Sequence, residues 1–191
     1  MAEAGAAGNI ISPKAGRVTT IVPKTEVTMR RVKLDRIDLK ILRDLQDEGR
    51  ITNVALAKRA GISAPPCLRR VRALEEAGFI RGYHADLDGE RIGYDVTFYA
   101  LVGLDNQSEA VLTAFERAMT ELPEVRECHM ARGPHDFVLK IVAHNTAHEN
   151  ELTTRLTSAP HVATVQTIQV IRTAKWQPGI PIDPDEAEAG P

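Results

Sequence analysis

Cysteine is scarce in this 191-residue sequence. The two present, Cys67 and Cys128, form no C-x-x-C pair. A disulfide scaffold and a thiolate metal cluster are therefore excluded, and a reduced, cytoplasmic setting is expected. No apolar run approaches the ~20 residues of a membrane span, so no membrane partner is expected. The N-terminus lacks the basic segment and apolar block of a secretory signal. No glycine loop of the phosphate-cradling kind appears, and no nucleophile elbow. The six histidines are scattered. His144 and His148 stand four apart, but a helix is expected to begin between them and no cysteine or carboxylate sits at ligand spacing. Neither a metal nor a cofactor is expected.

Overall charge is close to balanced, at −2, but its distribution is not. Arg30 to His84 holds 13 lysines and arginines against 7 acidic residues, a net +6. Ala85 to Pro191 holds 8 against 17, a net −9. A basic half joined to an acidic half suggests that the first half alone meets phosphate.

Periodicity divides the chain further. Residues 1–33, rich in Ala, Gly, Pro and Thr, read as a disordered arm. Ile37, Ile41, Leu42 and Leu45 fall on one face of a helix over 35–48, with Asp35 as its cap, Asp38 three residues on and Gly49 at its end. A second helix is expected near 54–60, capped by Asn53 and stopped by Gly61. Ser63 can cap a third, running to about Glu76, whose first turn tolerates Pro65 and Pro66. Phe79–Tyr83 reads as a short strand. From Val96 the signals alternate: strand 96–104, helix 109–122, strands 125–131 and 137–143, helix 148–157, strand 162–173. The fold class is thus α+β. A winged helix-turn-helix domain with its linker (34–95) precedes a ferredoxin-like βαββαβ domain (96–175), and 176–191 is a flexible tail.

The motif over 53–72 is helix, four-residue turn, helix, the spacing of a DNA-binding helix-turn-helix. With Leu68, Val71 and Leu74 inward, Pro65, Pro66, Arg69, Arg70 and Ala73 turn outward and Arg72 lies on the flank. Guanidinium forks can bridge guanine O6 and N7 or hold phosphate oxygens. The first-turn N–H groups behind Asn53 or Ser63 can accept a phosphate. The expected DNA-binding residues are Asn53, Ser63, Pro65, Pro66, Arg69, Arg70 and Arg72. A merely solvated basic face is the alternative reading of the three arginines.

These residues also carry a likeness. The runs Leu34–Asp38, Asp47–Ile51, Leu56-Ala57, Gly61–Ser63, Pro66–Glu75 and Gly78–Tyr83 resemble the Lrp/AsnC family of feast/famine transcription regulators, and the likeness extends over about 34–175. In the second half it is clearest at Glu127–His129 and Gly133–Phe137. The resemblance implies double-stranded DNA as partner, dimers built through the second domain and often gathered into octamers, and a small-molecule effector, usually an amino acid. It implies control of amino-acid metabolism genes. It places the effector at Gly133, His135, Asp136 and Thr167. Pro134 and His135 replace the family's usual middle pair of that loop, and Val165 replaces the first hydroxyl of its Thr-x-Thr. Asp136 is suited to an ammonium group, or equally to capping its own turn. Two rivals stay open: an enzyme of the same two-domain plan using His129 or His135, and an architectural protein that wraps DNA with little specificity.

Overall fold

The computed structural model describes residues 34–185. The expected arm, 1–33, lies outside the described residues, as do the last six residues of the tail. The chain forms two compact units. Of the described residues, one contains those up to Ala85 together with those from Gln177, and the other is Asp86–Trp176.

The first unit holds three helices: α1 (Arg36–Asp47), α2 (Asn53–Ala60) and α3 (Ala64–Glu76). Asp35 caps α1 and forms a capping box with Asp38. The cap of α2 is Thr52 and not Asn53: its hydroxyl accepts the Ala55 N–H at 3.2 Å. Gly61 ends α2 at φ +76°, a left-handed conformation that a Cβ would strain. The core contains Ile41, Leu45, Ile51, Leu56, Ala57, Cys67, Val71 and Leu74. Cys67, fully buried, takes the place on α3 expected for Leu68, which is half-buried. A thiol packs as a small hydrophobe, so the seam 67-71-74 replaces 68-71-74 and the helix is rolled accordingly.

Residues 79–88 form no strand. A strand needs a partner for its backbone groups. Here the Phe79 and Ile80 N–H groups instead close the end of α3 by donating to the Leu74 carbonyl. Tyr83 is pinned back on α3, its hydroxyl 3.0 Å from a Glu75 carboxylate oxygen. Within the segment expected to be a flexible tail, the Ile180 backbone makes a two-bond clasp with the Gln46 amide, at 2.8 and 2.9 Å. Pro184 is buried.

The second unit begins with a turn of 3-10 helix (Glu90–Ile92). It continues as β1 (Val96–Leu104), α4 (Glu109–Thr120), β2 (Val125–Met130), β3 (Phe137–Ala143), α5 (Thr146–Thr157) and β4 (Val162–Gln169). The sheet is antiparallel in the order β2-β3-β1-β4, the ferredoxin-like arrangement expected. Alternation along β1 and β3 sends Phe98, Ala100, Val102, Phe137, Leu139 and Ile141 to the face that α4 and α5 cover. The opposite face carries Tyr99, Leu101, Val138, Val142 and Ile168, of which Ile168 is 50% exposed. Asn145 caps α5, which therefore starts two residues before the expected position.

Candidate nucleic-acid interface and effector loop

The outward face of α3 is a shallow groove lined by Pro65, Leu68, Arg69, Arg72, Ala73 and Glu76. These positions recur at helical spacing along one side of the helix. Arg69 and Arg72 are exposed there and make no salt bridge among the described residues. Pro65 sits at the start of the helix, where its missing N–H is no loss. Ser63, the residue capping α3, makes no side-chain hydrogen bond to the helix, which leaves its exposed hydroxyl available to a phosphate. The groove is thus slim at its N-terminal end and cationic along its middle, a form suited to the major groove.

Two expected contacts are turned elsewhere. Asn53 sends its amide Nδ2 to the Ala64 carbonyl at 2.8 Å, tying the start of α2 to the start of α3. Arg70 points away from the groove. Its Nη1 lies 2.8 Å from Asp35 Oδ2 and 2.7 Å from Asp38 Oδ1. The hydrogen bond to Asp38, outweighing burial and joined by Asp35, holds the Arg70 guanidinium above its ordinary pKa. Burial pushes the Asp35 carboxyl up, but the Asp38 amide and Arg70 outweigh it and hold it below the ordinary carboxylate range. Pro66 is half-buried on the same flank. With position 67 inward, position 70 faces α1 and position 72 faces out.

In the second unit, the loop between β2 and β3 is closed by Asp136. Its Oδ2 accepts the Leu104 N–H and its Oδ1 accepts the Gln107 amide, both at 2.7 Å. Its own N–H donates to Val102 and its carbonyl accepts from Ala131. Asp136 is therefore the keystone of the loop, each carboxylate oxygen keeping one lone pair. Gln107 is a partner that no sequence pattern marks. His135 is half-buried, and its Nδ1 is buried without a partner among the described residues. Gly133 is exposed, with open space where a Cβ would stand. Thr167 is exposed on β4 opposite Ala100, and Asp136 meets β1 at Val102. Strand β1 thus brings the loop and Thr167 to adjoining stretches of one strand. Cys128 lies between the Glu127 and His129 of the family-like run, and burial, aided by the Glu116 charge, pushes its thiol up to about 12. Among the described residues no group of three or more His, Cys, Asp or Glu side chains is placed to hold a metal ion.

An arginine-bearing recognition helix and a separate ferredoxin-like unit define a two-domain, helix-turn-helix DNA-binding protein. Comparison with known proteins gives the particular family. A winged helix-turn-helix DNA-binding model matches residues 34–81, and the Lrp/AsnC ligand binding domain matches 97–180. The leucine-responsive regulatory protein of Rhizobium meliloti is 54% identical over 76% of this chain and 94% of its own length. The Bkd operon transcriptional regulator of Pseudomonas aeruginosa is 38% identical over 78% and 99%. A transcriptional regulator from Neisseria meningitidis, solved in complex with L-Met, superposes with a TM-score of 0.74 at 31% identity, covering 78% of this chain and 96% of the other. The chain belongs to the Lrp/AsnC family and is a DNA-binding transcriptional regulator of that type. No helix among the described residues is long and apolar enough to cross a membrane.

Proposed function

We propose that this regulator acts in the cytoplasm as a sequence-specific binder of double-stranded DNA, tuned by an amino acid and controlling genes of amino-acid metabolism. The observation that carries the reading is the outward groove of α3. Arg69 and Arg72 stand exposed along it, where they would meet base edges and phosphates, and Pro65 and the Ser63 hydroxyl lie at its slim end. Asn53, Pro66 and Arg70 support that surface from its flank. The apolar residues on the outer face of the sheet support a homodimer, because Ile168, Tyr99, Leu101, Val138 and Val142, interspersed with Thr97, Lys140 and Gln166, would be covered by a second copy of the same face. Two copies would then set two recognition helices in successive major grooves, about 34–36 Å apart. Octamers would follow from further packing of such dimers. The protein acts by binding and not by catalysis.

For the effector, the names and ligands of its relatives point to L-leucine and L-methionine. The Ala131–Asp136 loop is the site we favour. Gly133 leaves room, His135 offers an unpartnered nitrogen, and the free lone pairs of Asp136 suit an ammonium group. Thr167 on the adjoining strand suits the carboxylate.

The experiment is binding of the purified protein to its own upstream DNA and to random DNA of equal length across a salt series, with and without L-leucine or L-methionine. Preference for the upstream DNA, lost in Arg69→Ala/Arg72→Ala, supports specific regulation. Equal affinity for both duplexes would favour an architectural protein. Coupling is reciprocal, so saturating DNA must change amino-acid affinity by the factor that the amino acid changes DNA affinity. An amino acid that binds with no such reciprocity would sink the tuning claim.

A further inference from the structure

We infer that Arg70 is a positioning residue for DNA recognition, setting the roll of α3 through Asp35 and Asp38 rather than touching DNA. The inference rests on α3 being the recognition helix. Its basis is a complete hydrogen-bond partition. Asp35 Oδ1 accepts the Asp38 N–H at 2.8 Å, and one carboxylate oxygen of Asp38, Oδ2, accepts the Asp35 N–H at 3.2 Å. Those two bonds are the capping box of α1. Each carboxylate has one oxygen left, and both remaining oxygens accept from Arg70 Nη1, at 2.8 and 2.7 Å. All four carboxylate oxygens therefore have a donor, and the box that starts α1 is also the socket that holds α3.

The consequence for recognition is geometric. Successive residues on a helix are turned by about 100°. Pinning Arg70 toward α1 therefore fixes the direction of Arg69 and of Arg72 together. The apolar seam of Cys67, Val71 and Leu74 selects the inward face of α3, and the Arg70 network then pins the roll from the side of α1. The network also compensates charge. Without Arg70, two carboxylates would stand unpaired at the end of α1 in the unit that meets phosphate.

Positioning and direct contact predict opposite signs for one substitution. Asp38→Asn removes a negative charge and releases Arg70. If Arg70 served DNA directly, this variant would bind every duplex more tightly. If Arg70 positions α3, the variant binds its preferred duplex more weakly. The probe is a duplex that the wild-type protein enriches from a random pool, beside a shuffled duplex of the same composition, followed by fluorescence anisotropy across a salt series. Asp38→Asn and Arg70→Ala are each expected to lose about fivefold to tenfold on the enriched duplex, the scale of one lost hydrogen bond, with little loss on the shuffled one. The double variant should be no worse than Arg70→Ala. Arg70→Lys, which keeps the charge but not the planar fork, should recover part of the preference. The salt slope should stay at its wild-type value in Arg70→Ala and fall by about 0.9 in Arg69→Ala, the change expected for one phosphate contact.

Tighter binding by Asp38→Asn, or a reduced salt slope in Arg70→Ala, would overturn the inference in favour of direct contact. Equal losses on both duplexes, tracking a lowered melting temperature, would reduce Arg70 to a stabilising role and also overturn it. Should Arg70→Ala not fold, Asp35→Asn replaces it, since an asparagine still caps α1 while weakening the ionic partner. A wild-type protein that enriches no duplex would overturn sequence-specific recognition itself, and this inference with it.

Discussion

Trp176 donates its indole N–H to a carboxylate oxygen of Asp86 at 2.9 Å, so the first and last residues of the second unit are joined directly. The same ring lies beneath the Lys140 ammonium, 4.9 Å from its centroid. Charge above the ring and a carboxylate at its edge hold a side chain that is still 60% exposed.

Because this is the sequence's single tryptophan, intrinsic fluorescence reads that corner alone. Asp86→Ala should red-shift the emission and make the indole easier to quench with acrylamide. The effect on unfolding stability should be under about 1 kcal/mol, since the bond is solvent-exposed. An unchanged quenching constant would contradict the contact.

Gly103 stands opposite Thr164 across the β1–β4 pair, beside a register shift. A Cβ at Gly103 would come 2.5 Å from the Thr164 hydroxyl oxygen. Gly103→Ala should destabilise by about 1–3 kcal/mol through overpacking. Adding Thr164→Ala should recover most of the loss in urea denaturation. If the double variant were as unstable as the single, the steric account would be wrong.

Both thiols should be inert in the folded protein. Burial pushes the Cys67 thiol up against the opposing charge of Arg70, and Cys128 is pushed up to about 12. Ellman's reagent near neutral pH should label neither native thiol and both in urea. Cys67→Ser should cost about 1–3 kcal/mol, because a hydroxyl would be buried in the apolar seam.

Acid should weaken the fold through two carboxylates. Asp35 is held below the ordinary range as described. For Glu127, burial pushes the carboxyl up, but hydrogen bonds from His129 and Lys140 outweigh it and bring it down. A depressed folded value means stability that is present above the unfolded values, about 3.9 for Asp and 4.3 for Glu. It is lost as pH falls through the lower folded values. Both side chains are about half exposed, so each contribution stays within about 1 kcal/mol. Asp35→Asn with Glu127→Gln should flatten the fall of the urea midpoint below about pH 4.5. An unaltered slope would mean that other carboxylates carry it.

Much of this arrangement is legible in local pattern. Asp35 and Asp38 announce the start of α1 because a capping box acts within four residues. Gly61 and Gly78 mark turns because only a residue without a Cβ takes their positive φ easily. The β-branched and aromatic composition of Val96–Leu104 reads directly as strand. Where local pattern was ambiguous, its reading went astray for identifiable reasons. Thr52 and Asn53 are adjacent capping residues, and Thr52 takes the cap while the Asn53 amide is spent on the Ala64 carbonyl of α3. Phe79–Tyr83 has strand composition, but composition provides no partner for its backbone.

What the sequence by itself determined is the order of the helices, the order of β1 to β4 and the family, because periodicity, caps and the runs from Leu34 to Tyr83 are properties of neighbouring residues. Only the tertiary structure decided which arginines face outward. Cys67 and Leu68 are both apolar and differ by one helical step of about 100°, so sequence permits either seam. Burial of Cys67 against α1 and α2 selected one. That choice turned Arg69 and Arg72 toward solvent and delivered Arg70 to Asp35 and Asp38, partners more than thirty residues distant. Likewise, sequence marks Asp136 as a turn residue, while its bonds to Leu104 and Gln107 arise only when β1 and β3 pair.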